Sequence, residues 1–127
     1  MQLRIQNACL EALKWFSLIP VAQPLLFSEL STLLDLIEKI TFDSQLKELD
    51  PLIALNNCLM SQDVQSEMDG QVLEGPMERY HEFLLKWQSI DEIQMVNSTN
   101  RELYRTLEIE CTIALTLIEG SFSELNT

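Results

Sequence analysis

The chain has 127 residues, enough for one domain with one core, and 46% of them are hydrophobic, so the chain can fold and need not be disordered. Eight Lys and Arg residues stand against 20 Asp and Glu residues, giving a formal net charge of −12. Such an acidic surface repels the phosphates of nucleic acids and anionic lipids, so we expect no nucleic-acid partner and either a basic protein partner or a plainly solvated exterior.

The first two predicted helices are separated by prolines. The first spans residues 2–18, and its apolar residues, which include Trp15 and Phe16, are spread wider than one narrow stripe. Pro20 and Pro24 bracket a break, because proline lacks a backbone N–H and clashes with the preceding turn. Pro24 then suits the first turn of a second helix over 24–41. That helix has one broad apolar face, formed by Leu26, Leu30, Leu33, Leu34, Ile37 and Ile40 and widened by Leu25, Phe27 and Leu36.

A third helix is predicted after the caps Asp43 and Ser44. Asp50 and Pro51 either kink this helix or restart it, with Pro51 in a first turn where no N–H donor is needed. Residues 1–61 are thus read as the N-terminal helices, whose last apolar face consists of Leu52, Ile53, Leu55, Leu59 and Met60.

The polar stretch 62–75, "QDVQSEMDGQVLEG", is predicted to be a flexible loop or a frayed helix end because Gly70 and Gly75 interrupt it. A long C-terminal helix is predicted over 76–120, beginning at Pro76 and ended by Gly120. A straight helix from 76 to 119 would be about 66 Å long, which exceeds a compact domain of this size. The helix therefore either bends or breaks, or its far part pairs with something outside the core.

The apolar stripe of this helix, which we call the seam, follows a heptad spacing. Two amides, Asn97 and Asn100, interrupt it in consecutive layers. They either form a polar layer inside a bundle, or mark a bend at "NSTN", or bind the backbone of a partner peptide. The a positions are Phe83, Ile90, Asn97, Tyr104, Cys111 and Ile118, and the d positions are Lys86, Ile93, Asn100, Leu107 and Ala114.

The stretch "WQSIDEIQMVNSTNRELYRTLE" resembles the C-terminal helix of FlgN- and FliT-type flagellar (type III) export chaperones, and "LKELDPLIALNNCLM" is similar to their middle helix. The resemblance covers about 60 residues, and the prolines that split the N-terminal helices depart from the family's single long helix. It implies a cytosolic chaperone that binds the helical end of an export substrate. The matching positions are Trp87, Ile90, Asn97, Asn100, Leu103 and Leu107.

Residues that carry catalytic or metal chemistry are sparse. Glu78 and His81 form a single Glu-x-x-His pair, whereas a di-metal helical bundle needs two such pairs and two further Glu residues. Cys9, Cys58 and Cys111 are far apart and lie in no Cys-x-x-Cys pattern, which argues against zinc and against a disulfide framework. No phosphate-binding glycine loop or nucleophile triad can be assembled. We expect no enzyme, no cofactor and no metal.

The sequence offers no clean signal peptide and no apolar run of the ~20 residues that a bilayer requires, so we expect a cytoplasmic protein without membrane insertion. The predicted fold is all-α, a bundle of four to five helices with a long, coiled-coil-like C-terminal helix. The predicted function is protein binding by a chaperone that docks a partner helix on an apolar helical face. The alternative is a structural coiled-coil subunit or adaptor of a larger assembly, and a homodimer is also open. The predicted partner-binding residues are Trp87, Ile90, Ile93, Asn97, Asn100, Tyr104 and Leu107.

Overall fold

Every regular element in the described part of the chain is helical, which confirms the all-α prediction. The computed structural model describes residues 2–40, 46–88 and 101–121. Within these ranges there are seven α-helices, one 3-10 helix (Leu46–Leu49) and no strand. The α-helices are α1 (Gln2–Phe16), α2 (Gln23–Ser28), α3 (Leu30–Ile37), α4 (Asp50–Leu59), α5 (Gln62–Met68), α6 (Pro76–Gln88) and α7 (Arg101–Ser121).

The helix count exceeds the predicted four to five because predicted helices are divided. The second one becomes α2 and α3, separated at Glu29, whose backbone (φ −99°, ψ 28°) leaves the helical region. At Asp50 the chain restarts rather than kinks: the 3-10 helix ends at Leu49, and Pro51 lies in the first turn of α4. The predicted caps Asp43 and Ser44 lie outside the described residues.

The loop predicted for 62–75 is wrong in its first half, because residues 62–68 form helix α5. Val64 and Met68 are one helical turn apart on the same face, and both are buried in the core. The residues around Val64 and Met68 are polar, so the sequence does not show that these two form an apolar helical face. Gly70 and Gly75 adopt the left-handed backbone conformation (φ 74° and 62°), which glycine adopts without a Cβ clash, and the Gly70 N–H donates to the Ser121 carbonyl at 3.0 Å.

Helix α4 lies at the centre of the fold. It packs against α1, α2, α3, α5 and α7, while α6 packs against α3 and α7. Eight of the ten residues of α4 are buried, including the polar Asn56. A helix covered on nearly all sides must be apolar on nearly all sides, which explains the run from Leu52 to Leu59.

The C-terminal helices α6 and α7 pack against each other, so a straight helix through 76–120 is wrong. His81 Nε2 in α6 lies 3.8 Å from Glu119 Oε1 in α7, whereas a straight helix would separate these two residues by about 57 Å. The long C-terminal helix itself is confirmed as α7, with 21 residues. Asn97 and Asn100 lie outside the described residues, so their three interpretations stay predictions.

None of the helices in the ranges that the structure describes combines the length and the apolar character needed to cross a membrane.

Candidate functional site

The structure describes three of the seven predicted partner-binding residues, and none of the three is exposed. Leu107 is buried in the hydrophobic core, and Tyr104 is buried on the same helix, α7. Trp87 is partly buried, packs against the core and lies beside Phe83, with the ring centroids 6.2 Å apart. A partner helix has no access to Tyr104 or Leu107 in this arrangement. The other four predicted contacts, Ile90, Ile93, Asn97 and Asn100, lie outside the described residues and stay predictions.

Six of the ten large apolar side chains that are exposed in the described ranges lie instead in one short segment, from the end of α1 into α2. Trp15 and Phe16 end α1, the next residues form hydrogen-bonded turns around Pro20, and Leu25 lies in α2. Large apolar side chains in this segment are between 44% and 79% exposed. Exposed apolar side chains concentrated in one short segment mark an interaction site more often than scattered single residues do. We call this set the apolar corner: Trp15, Phe16, Leu18, Ile19, Val21 and Leu25.

The polar side chains of the same segment point inward. Ser17 is fully buried, and its Oγ donates to the Lys14 carbonyl and accepts a 2.9 Å hydrogen bond from Asn57 Nδ2 of α4. Gln23 Nε2 donates to the Ser17 carbonyl at 2.8 Å. The Asn57 bond ties Ser17 to the central helix, and Gln23 Nε2 also donates to the Asn57 carbonyl at 3.5 Å. The polarity of residues 15–25 is thus inverted, with the Ser17 hydroxyl buried, the Gln23 amide half-buried and the large apolar side chains outside.

This inversion has a physical cost that the chain's own fold does not offset. Each large apolar side chain left in water forgoes part of the roughly 1.5–3 kcal/mol that full burial is worth. The hydrogen bonds through Ser17 hold the backbone in place, so the corner is a preorganised surface. A preorganised surface loses little conformational entropy when a partner covers it.

The electrostatic surroundings of the apolar corner are acidic. No charged residue occurs from Trp15 to Ser28. Lys14 Nζ lies 5.9 Å from the Trp15 ring centroid and 3.4 Å from Asp50 Oδ1, so this cation is already paired with a carboxylate. Glu11 precedes Trp15 by one helical turn, and Glu29 follows Leu25 at the same spacing; both are exposed.

A second set of hydrogen-bonded polar side chains, Asn56, Tyr80 and Glu110, joins α4, α6 and α7. The Tyr80 hydroxyl donates to Asn56 Oδ1 at 2.6 Å, and Asn56 Nδ2 donates to the carbonyl and carboxylate oxygens of Glu110 at 2.9 and 2.8 Å. Burial, with smaller contributions from Cys111 and Glu110, raises the pKa of Tyr80 well above its usual value. The phenol therefore stays neutral, and the group joins three helices rather than performing chemistry.

The remaining titratable groups form no reactive site in the part of the chain that the structure describes. Burial raises the pKa of the Cys58 thiol to about 11; burial and then the nearby Glu110 raise that of Cys111 to about 12. Both thiols stay protonated near neutral pH and are poor nucleophiles. No described group of three or more His, Cys, Asp and Glu side chains is arranged to hold a metal ion.

The apolar corner was missed at the sequence level because helical periodicity gives Trp15 and Phe16 the same pattern as core residues. The signal that was present is the absence of charge from Trp15 to Ser28 in a chain of which 22% is charged. Two prolines interrupt this uncharged run, which is typical of a turn between two helices.

Comparison of the chain with protein-family models, with curated proteins and with solved structures gave no significant match.

Proposed function

We propose that this chain is a protein-binding helical module that holds a partner protein on its apolar corner and releases it, as a chaperone does. The observation that supports the proposal is the inverted polarity of residues 15–25. Ser17 is buried, while the apolar corner is exposed on a backbone fixed by Asn57 and Gln23. The proposal therefore places docking at the C-terminal end of α1, because the described part of the seam on α7 packs against α4 and α6.

The size of the apolar corner favours reversible binding. Full burial of six side chains that are now about half exposed would contribute roughly 4–9 kcal/mol before the costs of association. Stable permanent interfaces involve some 20–30 residues on each side, far more than this patch. The chain also has its own continuous core, which includes Leu34, Leu55, Tyr80 and Ile118, so it folds without a partner. A module that folds alone and binds through a small patch is suited to capture and release.

The cytoplasm is part of the proposal, since Cys9, Cys58 and Cys111 are free thiols. Delivery of a type III export substrate is proposed on the sequence resemblance alone.

A structural subunit or adaptor of a larger assembly is the second candidate, because a chain that is permanently paired also leaves large side chains such as Trp15 and Phe16 exposed when it is isolated. Light scattering separates the two candidates. A soluble monomer that exchanges its partner within minutes supports the chaperone-like role. A chain that aggregates without its partner, or that never releases it, supports the structural role.

The experiment that tests the proposal compares two surface variants. Val21→Asp with Leu25→Asp places charge in the apolar corner, and Ile109→Asp places charge at an isolated exposed position of α7. We expect extracts of the native host to yield proteins that the wild-type chain and Ile109→Asp retain and that the corner variant loses. All three chains should show the same unfolding temperature. If the corner variant retains the same proteins as the wild-type chain, the proposal is wrong.

A further inference from the structure

We infer that the occupant of the apolar corner is an amphipathic helix of a partner protein, with apolar residues on one face and basic residues at both ends of that face. This inference rests on the proposed function and adds the chemistry of the partner. It follows from the carboxylates on both sides of the corner and from the absence of a sheet edge in the described residues.

Exposed carboxylates lie before and after the apolar corner in the chain and on a helix that packs against α2. Glu11 lies one turn before Trp15 on α1, and Glu29 lies one turn after Leu25 beyond α2. Asp63 and Glu67 are exposed on α5, which packs against α2. None of these four carboxylates is paired with a cation whose side chain the structure describes. A partner that covers the uncharged centre therefore brings its own rim residues close to unpaired negative charge.

The nearest described cation does not offset this charge. Lys14 lies between the Trp15 ring and the buried Asp50, which holds the ammonium group at 3.4 Å. Asp50 is only 4% exposed, so the carboxylate of this ion pair is buried, whereas the Lys14 side chain is partly exposed. A partner carboxylate at this rim would meet net repulsion, whereas a Lys or Arg would meet net attraction.

The corner favours a helix over an extended strand. Its turns are closed by their own backbone bonds, for example Ile19 N–H to the Phe16 carbonyl at 3.0 Å and Ala22 N–H to the Ile19 carbonyl at 3.0 Å. The described residues contain no sheet edge that an incoming strand could extend. A partner helix satisfies its own backbone groups and offers only side chains, which is what an apolar patch with an acidic rim can recognise.

A second copy of the chain fits this rim poorly. In a two-fold pair the same patch meets itself, so Glu11 and Glu29 of one copy would approach carboxylates of the other, and each copy carries a net charge of −12. Anionic lipid is repelled for the same reason.

The test uses two synthetic helical peptides of about 18 residues, or five turns. They share one Leu and Phe stripe and differ only at the flanking positions, which are Lys in one peptide and Glu in the other. The chain carries Trp87→Phe, so that the fluorescence of Trp15, one of only two tryptophans, reports on the corner. Binding is measured at low and at high salt.

We expect the Lys peptide to shift Trp15 emission to shorter wavelength and to bind roughly tenfold more tightly than the Glu peptide at low salt, because exposed ion pairs each contribute modestly. The preference should shrink at high salt and in Glu11→Gln with Glu29→Gln. The same Trp15 shift should be absent when Val21→Asp is added.

Equal binding of the two peptides, or binding of neither, overturns the inference about basic flanks. Concentration-dependent dimerisation that Val21→Asp abolishes shows a second copy as the occupant and also overturns it, as does corner-dependent binding to phosphatidylcholine vesicles. These outcomes are distinct from failure of the proposed function, which is decided by whether host proteins depend on the corner for retention. If host proteins are retained without the apolar corner, both proposals are wrong. If their retention depends on the corner but the two peptides bind equally, only the inference of a basic partner helix is wrong.

Discussion

At the scale of single residues, the amide that determines how helices meet is Asn56. It is 1% exposed, and its carbonyl and amino groups are bonded to Tyr80 and Glu110. A buried amide costs stability unless it is paired, and when paired it fixes the register of its neighbours. Asn56 thus has the role that the sequence suggests for Asn97 and Asn100. In the sequence, Asn56 appears as one polar residue among the leucines of α4.

Replacing Asn56 with Leu should lower the free energy of unfolding by about 1–3 kcal/mol, because the Tyr80 hydroxyl then loses its acceptor in a dry environment. Tyr80→Phe removes the hydroxyl alone and serves as the matched single variant. Urea unfolding of both variants and of the double variant measures the coupling between the two side chains. The double variant should be more stable than the sum of the two losses predicts, and strictly additive losses would show that the pair does not interact.

The three cysteines should differ sharply in reactivity. The raised pKa values of Cys58 and Cys111, about 11 and 12, keep both thiols protonated near pH 8, whereas Cys9 is exposed. Mass spectrometry after brief alkylation should therefore show one modified cysteine in the folded chain, at Cys9, and three in concentrated urea. Rapid modification of Cys58 or Cys111 without denaturant would mean that α4 or α7 is not packed as described.

At the scale of helices, α6 and α7 cover each other's apolar faces. Met77, Tyr80 and Leu84 of α6 are buried, as is the heptad stripe of α7 from Leu103 to Ile118. Each helix alone would leave this stripe in water, so packing against a neighbour is the more stable arrangement. The periodicity of the sequence defines these faces correctly, but it does not tell which helix covers them.

Distance measurement between α6 and α7 tests this packing. Spin labels at Glu82→Cys and Thr116→Cys, both exposed positions, should lie less than about 25 Å apart, given the contact between His81 and Glu119. A continuous helix would separate the same labels by about 50 Å. The Cys9→Ser background leaves Cys58 and Cys111 unlabelled because they are buried. A distribution of label-to-label distances centred near 50 Å would show that α6 and α7 form one straight helix.

A surface clamp joins α3 to α6. Arg79 donates from Nη2 to Asp35 Oδ1 and to Glu38 Oε2, at 2.7 Å each, and from Nε to Glu38 Oε1. The hydrogen bond from Arg79 holds the pKa of Glu38 below its usual value of 4.5. A carboxylate whose pKa is lowered by folding stabilises the fold above its unfolded pKa, and this contribution is lost as the pH falls through the folded value.

Arg79→Gln should therefore lower Tm by about 1–3 °C at neutral pH, with the difference from the wild-type chain shrinking as the pH falls below about 4.5. The effect is small because the clamp is exposed to solvent. Lys39→Gln, at an exposed position beside Glu38, provides the matched control and should leave Tm nearly unchanged. A deficit of Arg79→Gln that is the same at neutral and acidic pH would rule out ionised Glu38 as its cause.

At the scale of the whole molecule, composition and periodicity are sufficient for the all-α class, for α1, for the start of α6 at Pro76 and for the buried stripe of α7. They fail where the outcome depends on distant parts of the chain. Val64 and Met68 enter the core because α4 offers them a surface, and Trp15 and Phe16 stay outside because no described helix covers them. The candidate site was unpredictable for the same reason: an apolar residue does not encode whether its own chain or a partner covers it.

The central claim is that the chain buries some apolar residues in its own core and leaves those of the apolar corner exposed. Urea unfolding of variants at two valines tests this claim most directly. Val21 is 79% exposed in the apolar corner, and Val64 is fully buried in α5. Val21→Ala should change the free energy of unfolding by less than about 0.5 kcal/mol, whereas Val64→Ala should cost about 1–2.5 kcal/mol, since only the second change leaves a cavity in the core. A loss at Val21 equal to that at Val64 would mean that the chain covers the corner itself and leaves no surface there for a partner.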